Sequence, residues 1–351
     1  MEEITIKDIA RRCGVGISTV SRAINNHPDI NTETKQMVMQ VIRETGYIPN
    51  NSARNLKRTD ARCIAVLIKG ITNPFFSSVI QIIETQVQKK KYAMVMQHVE
   101  AYEDELDVAL ELIKEKRLRG IIFLGGAYRH DSQKLAKLNV PFVFSTIGTV
   151  QDEGAKTYSN TAVDDYTESQ KMVNYLLDLG HKRIAIIAEG SAAESVGQLR
   201  LEGYKKALRD REIEIDERLI YEVKDQADPY SMQNGYAMAK QLLASGVDFT
   251  AVFAIADFLA VGVCRAIHEA GLRIPEDISV AGYDGIAIGE FYTPQLTTIK
   301  QPVEAMAEKT AKLLFNLIEG KCEHEHIIFP AELVERESTG KPNPAMLSRH
   351  G

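Results

Sequence analysis

Apolar positions in this chain follow two different rhythms. Over the first sixty residues they recur at helical spacing. Ile6, Ile9, Ala10 and Cys13 share one face of a helix that Thr5 can cap, with Asp8 three residues on as a capping-box carboxylate. Gly14 stops that helix and permits a left-handed turn. After Val15-Gly16 a second helix runs from Ile17 to Asn25, with Val20, Ala23 and Ile24 inward and Ser18, Ser21, Arg22 and Asn25 outward. Two short helices joined through glycine form a helix-turn-helix. A third helix follows the cap Asn31, turns Val38, Val41 and Ile42 inward and ends at Gly46.

From Cys63 the rhythm changes to short apolar runs alternating with amphipathic helices. The runs Ile64–Ile68, Ala93–Met96, Gly120–Leu124 and Val140–Phe144 are expected strands. Helices are expected from about Phe75 to Lys90, Glu103 to Lys116 and Asp131 to Lys137. A second such unit begins near residue 162, with a helix from Asp164 to Leu179. Strands Ile184–Ile187, Ala251–Ala254 and Ser279–Gly282 follow, with a helix through Leu201–Leu208 and a closing helix from about Pro302 to Leu317. Repeated β-α units imply parallel sheets covered on both faces. The expected fold is a small all-α helix-turn-helix head with a hinge helix, followed by two α/β lobes.

Charge separates the same parts. Residues 4–58 hold nine basic and four acidic side chains, a net of +5; with Glu2 and Glu3, residues 1–58 carry +3, leaving −9 on the rest of a chain of net charge −6. A basic head on an acidic body suits attraction to phosphate, although a merely solvated basic surface would look the same. No run approaches the ~20 apolar residues that span a bilayer, and the acidic Met1-Glu2-Glu3 start has no signal-like apolar segment. The four cysteines, Cys13, Cys63, Cys264 and Cys322, are too scattered for a disulfide framework. A cytoplasmic protein with no membrane step is expected.

Chemistry for catalysis is sparse. There is no phosphate-binding loop ending in Lys-Ser/Thr and no strand-turn nucleophile signature. Gly125-Gly126 is a weak turn signal. Cys322, His324 and His326 would share one face of an extended segment and are chemically fit for zinc, but their spacing matches no common site. No enzyme activity, cofactor or metal is expected. Ligands of open α/β sheets bind beyond the carboxyl ends of the strands, which places a small molecule between the two lobes.

Several blocks carry a resemblance. Ile6-Lys7-Asp8-Ile9-Ala10, Gly14-Val15, Thr19-Val20-Ser21-Arg22 and Tyr47-Ile48-Pro49-Asn50 resemble the DNA-binding head of the lactose/galactose repressor (LacI/GalR) family. In the body, Asn73-Pro74-Phe75-Phe76, Gly180-His181-Lys182-Arg183-Ile184, Arg200-Leu201-Glu202-Gly203-Tyr204, Gly282-Tyr283-Asp284 and Pro294–Ile299 fit too, so the likeness covers residues 4 to 338. It implies a body like a periplasmic sugar-binding protein. It also implies a regulator, most simply a repressor, controlled by a small molecule in the interlobe cleft. The implied organisation is a head at 1–48, a hinge helix and linker at 49–61, a first lobe at 62–161 and a second at 162–338, with part of 290–338 returning to the first lobe. A polar tail at 339–351 completes it.

The resemblance also implies roles. Ile17, Ser18 and Arg22 would meet bases, and Thr5, Thr19, Ser21 and Asn25 phosphates. Ala53, Arg54 and Leu56 would form a hinge helix that pairs with that of a second subunit and presses Leu56 into the minor groove; a plain tether is the alternative. Phe75, Ser145, Arg200, Asp257 and Asp284 are the candidate effector contacts. Each has a plainer reading: a core aromatic for Phe75, an ion-pair partner for Arg200, a helix cap for Asp257, a loop cap for Asp284. Ser145-Thr146 stands where the family often has a charged pair, and Ala256 where it commonly has asparagine. The expected partners are a palindromic double-stranded operator, a second copy in a homodimer, and a sugar or sugar phosphate. A purine or protein co-regulator is a variant, and a solute-binding protein without DNA the alternative class. The family usually has serine where Gly16 caps the recognition helix, and glycine caps slightly less well. Gly16→Ser is therefore expected to strengthen operator binding modestly, by up to a few tenths of a kcal/mol in helix capping plus any new phosphate contact. An affinity titration showing weaker or unchanged binding would contradict this.

Overall fold

The structure, a computed structural model, describes residues 4–24, 27–47, 62–148, 157–190, 194–223 and 229–347. It divides into a head within residues 1–61 and a body from Arg62 onward.

The head holds helices Ile6–Cys13, Ile17–Ile24 and Thr32–Thr45. Asp8 accepts hydrogen bonds from the Thr5 amide at 3.0 Å and the Thr5 hydroxyl at 2.6 Å, which starts the first helix. Gly14 ends it with a φ of 64°, a conformation that costs glycine nothing. Asn31 caps the third helix by accepting from Glu33 at 2.8 Å. Ile9, Ala10, Val20, Ala23 and Val38 form the core.

The body contains two six-stranded sheets. The first comprises β1 (Cys63–Lys69), β2 (Ala93–Val99), β3 (Leu118–Leu124), β4 (Phe142–Ser145), β5 (Ser159–Val163) and β11 (His326–Phe329). Its order is β11-β5-β4-β3-β1-β2, and every pairing is parallel. The second comprises β6 (Ile184–Glu189), β7 (Ile220–Val223), β8 (Ala251–Ala254), β9 (Ser279–Asp284), β10 (Thr297–Lys300) and β12 (Glu332–Val334). Its order is β12-β10-β9-β8-β6-β7, parallel except for β10 with β12. Strand β1 explains its unbroken apolar run. Ile64, Val66 and Ile68 pack with Phe76, Val79 and Ile83, while Ala65 and Leu67 pack with Leu106, Ala109 and Leu112.

The chain crosses between the sheets three times: after β5, between β10 and helix Val303–Ile318, and between β11 and β12. Helix Val303–Ile318 packs against helix Phe75–Lys89 and β3 to β5, so the return to the first lobe is a helix and a strand together. Several elements differ from the sequence reading. The helix read through Leu201–Leu208 begins at Val196; helix Asp257–Glu269 starts at the position read as a helix cap, and helix Met232–Ala244 has no counterpart in that reading. His324 meets Ser159 at 3.1 Å and His326 meets Asn160 at 2.7 Å, anchoring β11 beside β5. Among the described residues no three metal-ligating side chains come together, and no helix is long and apolar enough to cross a membrane.

Helices Met232–Ala244 and Asp257–Glu269 are held at very short range by glycines. A Cβ at Gly262 would overlap the Met232 carbonyl oxygen, and one at Gly235 the Leu259 carbonyl oxygen. Gly262→Ala is expected to destabilise the body by about 1–3 kcal/mol through overpacking. Denaturation with an unchanged midpoint would show that the helices separate freely.

Candidate functional sites: the recognition helix and the interlobe cleft

In the head, one face of helix Ile17–Ile24 is consumed by the core through Val20 and Ala23. The other is left to solvent: Ile17 is 45% exposed, and Ser18 and Arg22 are exposed. Thr19 and Ser21 are half-buried at its flanks. Thr5 is exposed too, but its hydroxyl hydrogen goes to Asp8. An exposed apolar residue and an exposed arginine on one helix narrow enough for the major groove suit contact with thymine methyls and base edges. Asn25, Ala53, Arg54 and Leu56 lie outside the described residues.

In the body, a cavity of about 260 Å³ lies where the carboxyl ends of β1, β2, β3, β4, β6 and β9 face one another. Its floor is an ionic network. Arg200, in the second turn of helix Val196–Asp210, is buried. Its Nε donates to Asp165 at 2.8 Å, its Nη1 to the Ile255 carbonyl at 2.6 Å, and its guanidinium lies 3.6 Å from the Tyr283 ring centroid. Nη1 also reaches Asp284 at 3.5 Å. Burial disfavours the charge of Arg200, but Asp165 and Asp284 hold it firmly protonated. Burial pushes Asp165 up to about 6 and raises Asp284, with Arg200 opposing both shifts.

Asp284 links three parts of the body. It accepts from Asn73 of the first lobe at 3.1 Å and from Gln301, in the segment that crosses between lobes, at 2.8 Å. Its φ is 107°, a strained value for a residue with a side chain, and those partners hold it there. At the mouth, Ala127 bridges Ser195, the Tyr128 amide donates to the Glu194 carbonyl at 2.8 Å, and Arg129 pairs with Glu194 at 3.4 Å. Gly125-Gly126 lets the chain before that contact lie close against its own lobe, since a Cβ at Gly125 would strike the Lys69 carbonyl and one at Gly126 the Glu105 carboxylate.

Both architectures have known counterparts. Residues 5–50 match the model of bacterial regulatory proteins of the lacI family, and residues 173–339 that of a periplasmic binding protein-like domain. The HTH-type transcriptional regulator MalR of Clostridium butyricum is 40% identical over 338 residues, spanning 95% of this chain and 99% of that protein. The chain belongs to the LacI family.

Solved structures agree. The lac repressor dimer bound to operator and the anti-inducer ONPF aligns with a TM-score of 0.72 and 27% identity over 97% of this chain and 100% of that one. The transcriptional regulator CelR in complex with cellobiose aligns with a TM-score of 0.68 and 27% identity over 95% and 99%. This LacI-family protein is a DNA-binding transcription regulator, not an enzyme.

The LacI-family cleft brings together Phe75, Arg200 and Asp284 of the expected contacts. Two others need correction, because their side chains lie behind the lining. Ser145 is fully buried in a hydroxyl cluster with Thr161 and Thr310; its neighbour Thr146, at a φ of 69°, faces the cavity instead. Asp257 is fully buried and accepts from the Thr298 hydroxyl at 2.6 Å and the Ile286 amide at 2.8 Å, which pins the loop after β9. The sequence reading missed Lys69, Glu189, Tyr230 and Gln301, all at the cavity. Lys69 and Glu189 end strands β1 and β6, so the carboxyl-edge rule could have found them.

Burial and the neighbouring Asp284 charge push Asp257 up to about 8, against the donors Thr298 and Ile286. A carboxyl whose pKa is higher folded than unfolded binds more protons in the folded state at intermediate pH. Its contribution is therefore lost as pH rises from the usual carboxylate range through about 8. Thermal unfolding of the wild type is expected to show stability falling as pH rises from about 4 to about 8, with a flatter profile in Asp257→Asn. Parallel profiles would remove Asp257 as the source.

Proposed function

We propose that this regulator is a repressor: two heads of a homodimer grip a palindromic operator, and a saccharide in the cleft sets the strength of that grip. The observation that carries this reading is the presence, in one chain, of a solvent-facing recognition helix and a cavity at the strand ends that charged side chains line. The relatives support it, one bound to operator and another to cellobiose.

In this reading Ile17, Ser18 and Arg22 read base edges, while Thr5, Thr19, Ser21 and Asn25 fix the backbone register. Arg22 suits guanine, whose O6 and N7 accept two parallel hydrogen bonds. Ala53, Arg54 and Leu56 act in paired hinge helices at the operator centre, where an apolar wedge exchanges stacking for a bend. A twofold-symmetric dimer demands a twofold-symmetric site. In the cleft, Asp284 and Arg200 are placed to accept from and donate to sugar hydroxyls, and Phe75 to cover an apolar sugar face. Ser145 and Asp257 act indirectly, by holding the walls.

The test is fluorescence anisotropy on a palindromic duplex selected from random sequence by the full-length protein. Arg22→Ala is expected to lose about 1–3 kcal/mol of discrimination between that duplex and a scrambled one, with scrambled-duplex affinity nearly unchanged. Saccharides that raise the thermal stability of the protein are expected to shift wild-type operator affinity. Equal discrimination by Arg22→Ala, or no response of operator binding to any stabilising saccharide, would overturn the respective half of the proposal.

A further inference from the structure

We propose that the cleft selects an uncharged polyhydroxy ligand, a free saccharide, and rejects its phosphorylated or carboxylated counterpart, because the chain has already filled the anion-binding features around the cavity with its own groups. This inference rests on the saccharide reading above and narrows its chemical class.

A phosphate entering a protein seeks a helix N-terminus or an unneutralised cation. Among the described residues two helices begin at the cavity wall, and each beginning already has a polar side chain of this chain beside it. Asn73 Oδ1 accepts the Phe75 amide at 3.1 Å, capping helix Phe75–Lys89. Glu189 lies over the start of helix Val196–Asp210, where its Oε2 accepts from the Ser195 hydroxyl at 2.6 Å and the Tyr230 hydroxyl at 2.7 Å. Gly197 allows that approach, since a Cβ there would sit 2.7 Å from the same oxygen. The carboxylate thus occupies the position an incoming anion would need.

Among the described residues, both cavity cations already have carboxylates beside them. Arg200 spends Nε on Asp165 and Nη1 on the Ile255 carbonyl and Asp284. Lys69 Nζ donates to the Glu103 carbonyl at 2.7 Å and pairs with Glu105 at 3.3 Å. Among the described residues that line the cavity, Lys69 and Arg200 face three carboxylates: Glu189, Glu194 and Asp284. His98, at the rim, has Glu100 at 3.5 Å. The field inside is therefore set by acceptors in excess. Sugar hydroxyls are donors and suit carboxylates; a phosphate dianion offers only acceptors and adds like charge beside Asp284 and Glu189.

Isothermal titration calorimetry on the full-length protein decides the matter. The probes are D-glucose, D-ribose and cellobiose, each beside its terminal phosphate monoester, at fixed pH and ionic strength. The expected result is binding of at least one free sugar, with its phosphate ester bound at least tenfold more weakly. Glu189→Gln is expected to narrow that gap, by removing the resident charge while keeping an acceptor oxygen. Glu194→Gln, on the exposed rim, is the second variant should the first fail to fold. A phosphate ester that binds as tightly as its free sugar, or more tightly, would overturn the inference. A gap that neither variant alters would overturn the assignment to resident carboxylates. If no probe of either kind binds while operator binding is intact, the saccharide reading itself fails, a result distinct from a phosphate preference.

Discussion

A single buried guanidinium organises the body. Arg200 lies where helix Val196–Asp210, strand β9 and the helix that begins at Asp165 converge, and each supplies part of its surroundings. A charge this deep is tolerated only if its partners are equally deep, and Asp165 and Asp284 are. Such a network adds little net stability compared with an apolar core of equal volume, yet removing one member costs about 3–5 kcal/mol because it strands the rest. Its consequence is geometric. Asp284 is held on one side by Arg200 and on the other by Asn73 of the opposite lobe and Gln301 of the crossing segment. One carboxylate is thereby tied to the floor of one lobe, the wall of the other and the connection between them.

The strained backbone at Asp284 belongs to the same constraint. A φ of 107° is unfavourable for aspartate, and it turns the side chain away from the path of β9 toward the opposite lobe. Gln301 donates its backbone amide to the Asp284 carbonyl at 3.2 Å as well as its side-chain amide to the carboxylate. Gln301 precedes helix Val303–Ile318, which packs on the first sheet. A ligand hydroxyl competing for Asp284 would therefore act on residues that belong to both lobes.

Legibility from sequence followed the range of the interactions. The head was readable because its determinants are local: Thr5 with Asp8, Gly14 at the left-handed position, Asn31 at a cap. The central strands were readable because burial on both faces leaves an unbroken apolar run. Strands β11 and β12 were not, since they are half-exposed and their partners, β5 and β10, are remote in sequence. At the cavity, proximity to a strand end proved too coarse a guide. Strand alternation sends Ser145 toward Thr310, and only the left-handed turn at Thr146 redirects the chain inward. Asp257, at the first position of a helix, turns back to the β9 loop because Gly282 leaves room for its carboxylate there. The resemblance named Arg200 and Asp284 as ligand contacts, but pairing with Asp165 and Asn73 depends on tertiary packing that no local spacing records.

Regulation by a cleft ligand requires that it bind two arrangements of the lobes unequally; a ligand of equal affinity for both shifts nothing. The interlobe contacts of this body are of the right kind for that. Asn73 to Asp284 is buried, whereas Tyr128 to Glu194 and the Ala127–Ser195 bridge lie at the rim. Asn73 to Asp284 is a single hydrogen bond, and Tyr128 to Glu194 is the one that forms the Ala127–Ser195 bridge; each is of a class worth about 0.5–1.5 kcal/mol net. A ligand that replaces or reinforces two of them can supply roughly 1–3 kcal/mol, the usual range of coupling between sites. Among the described residues, the polar contacts at the cleft are ones that a ligand hydroxyl is able to replace, which is where a cleft ligand would act.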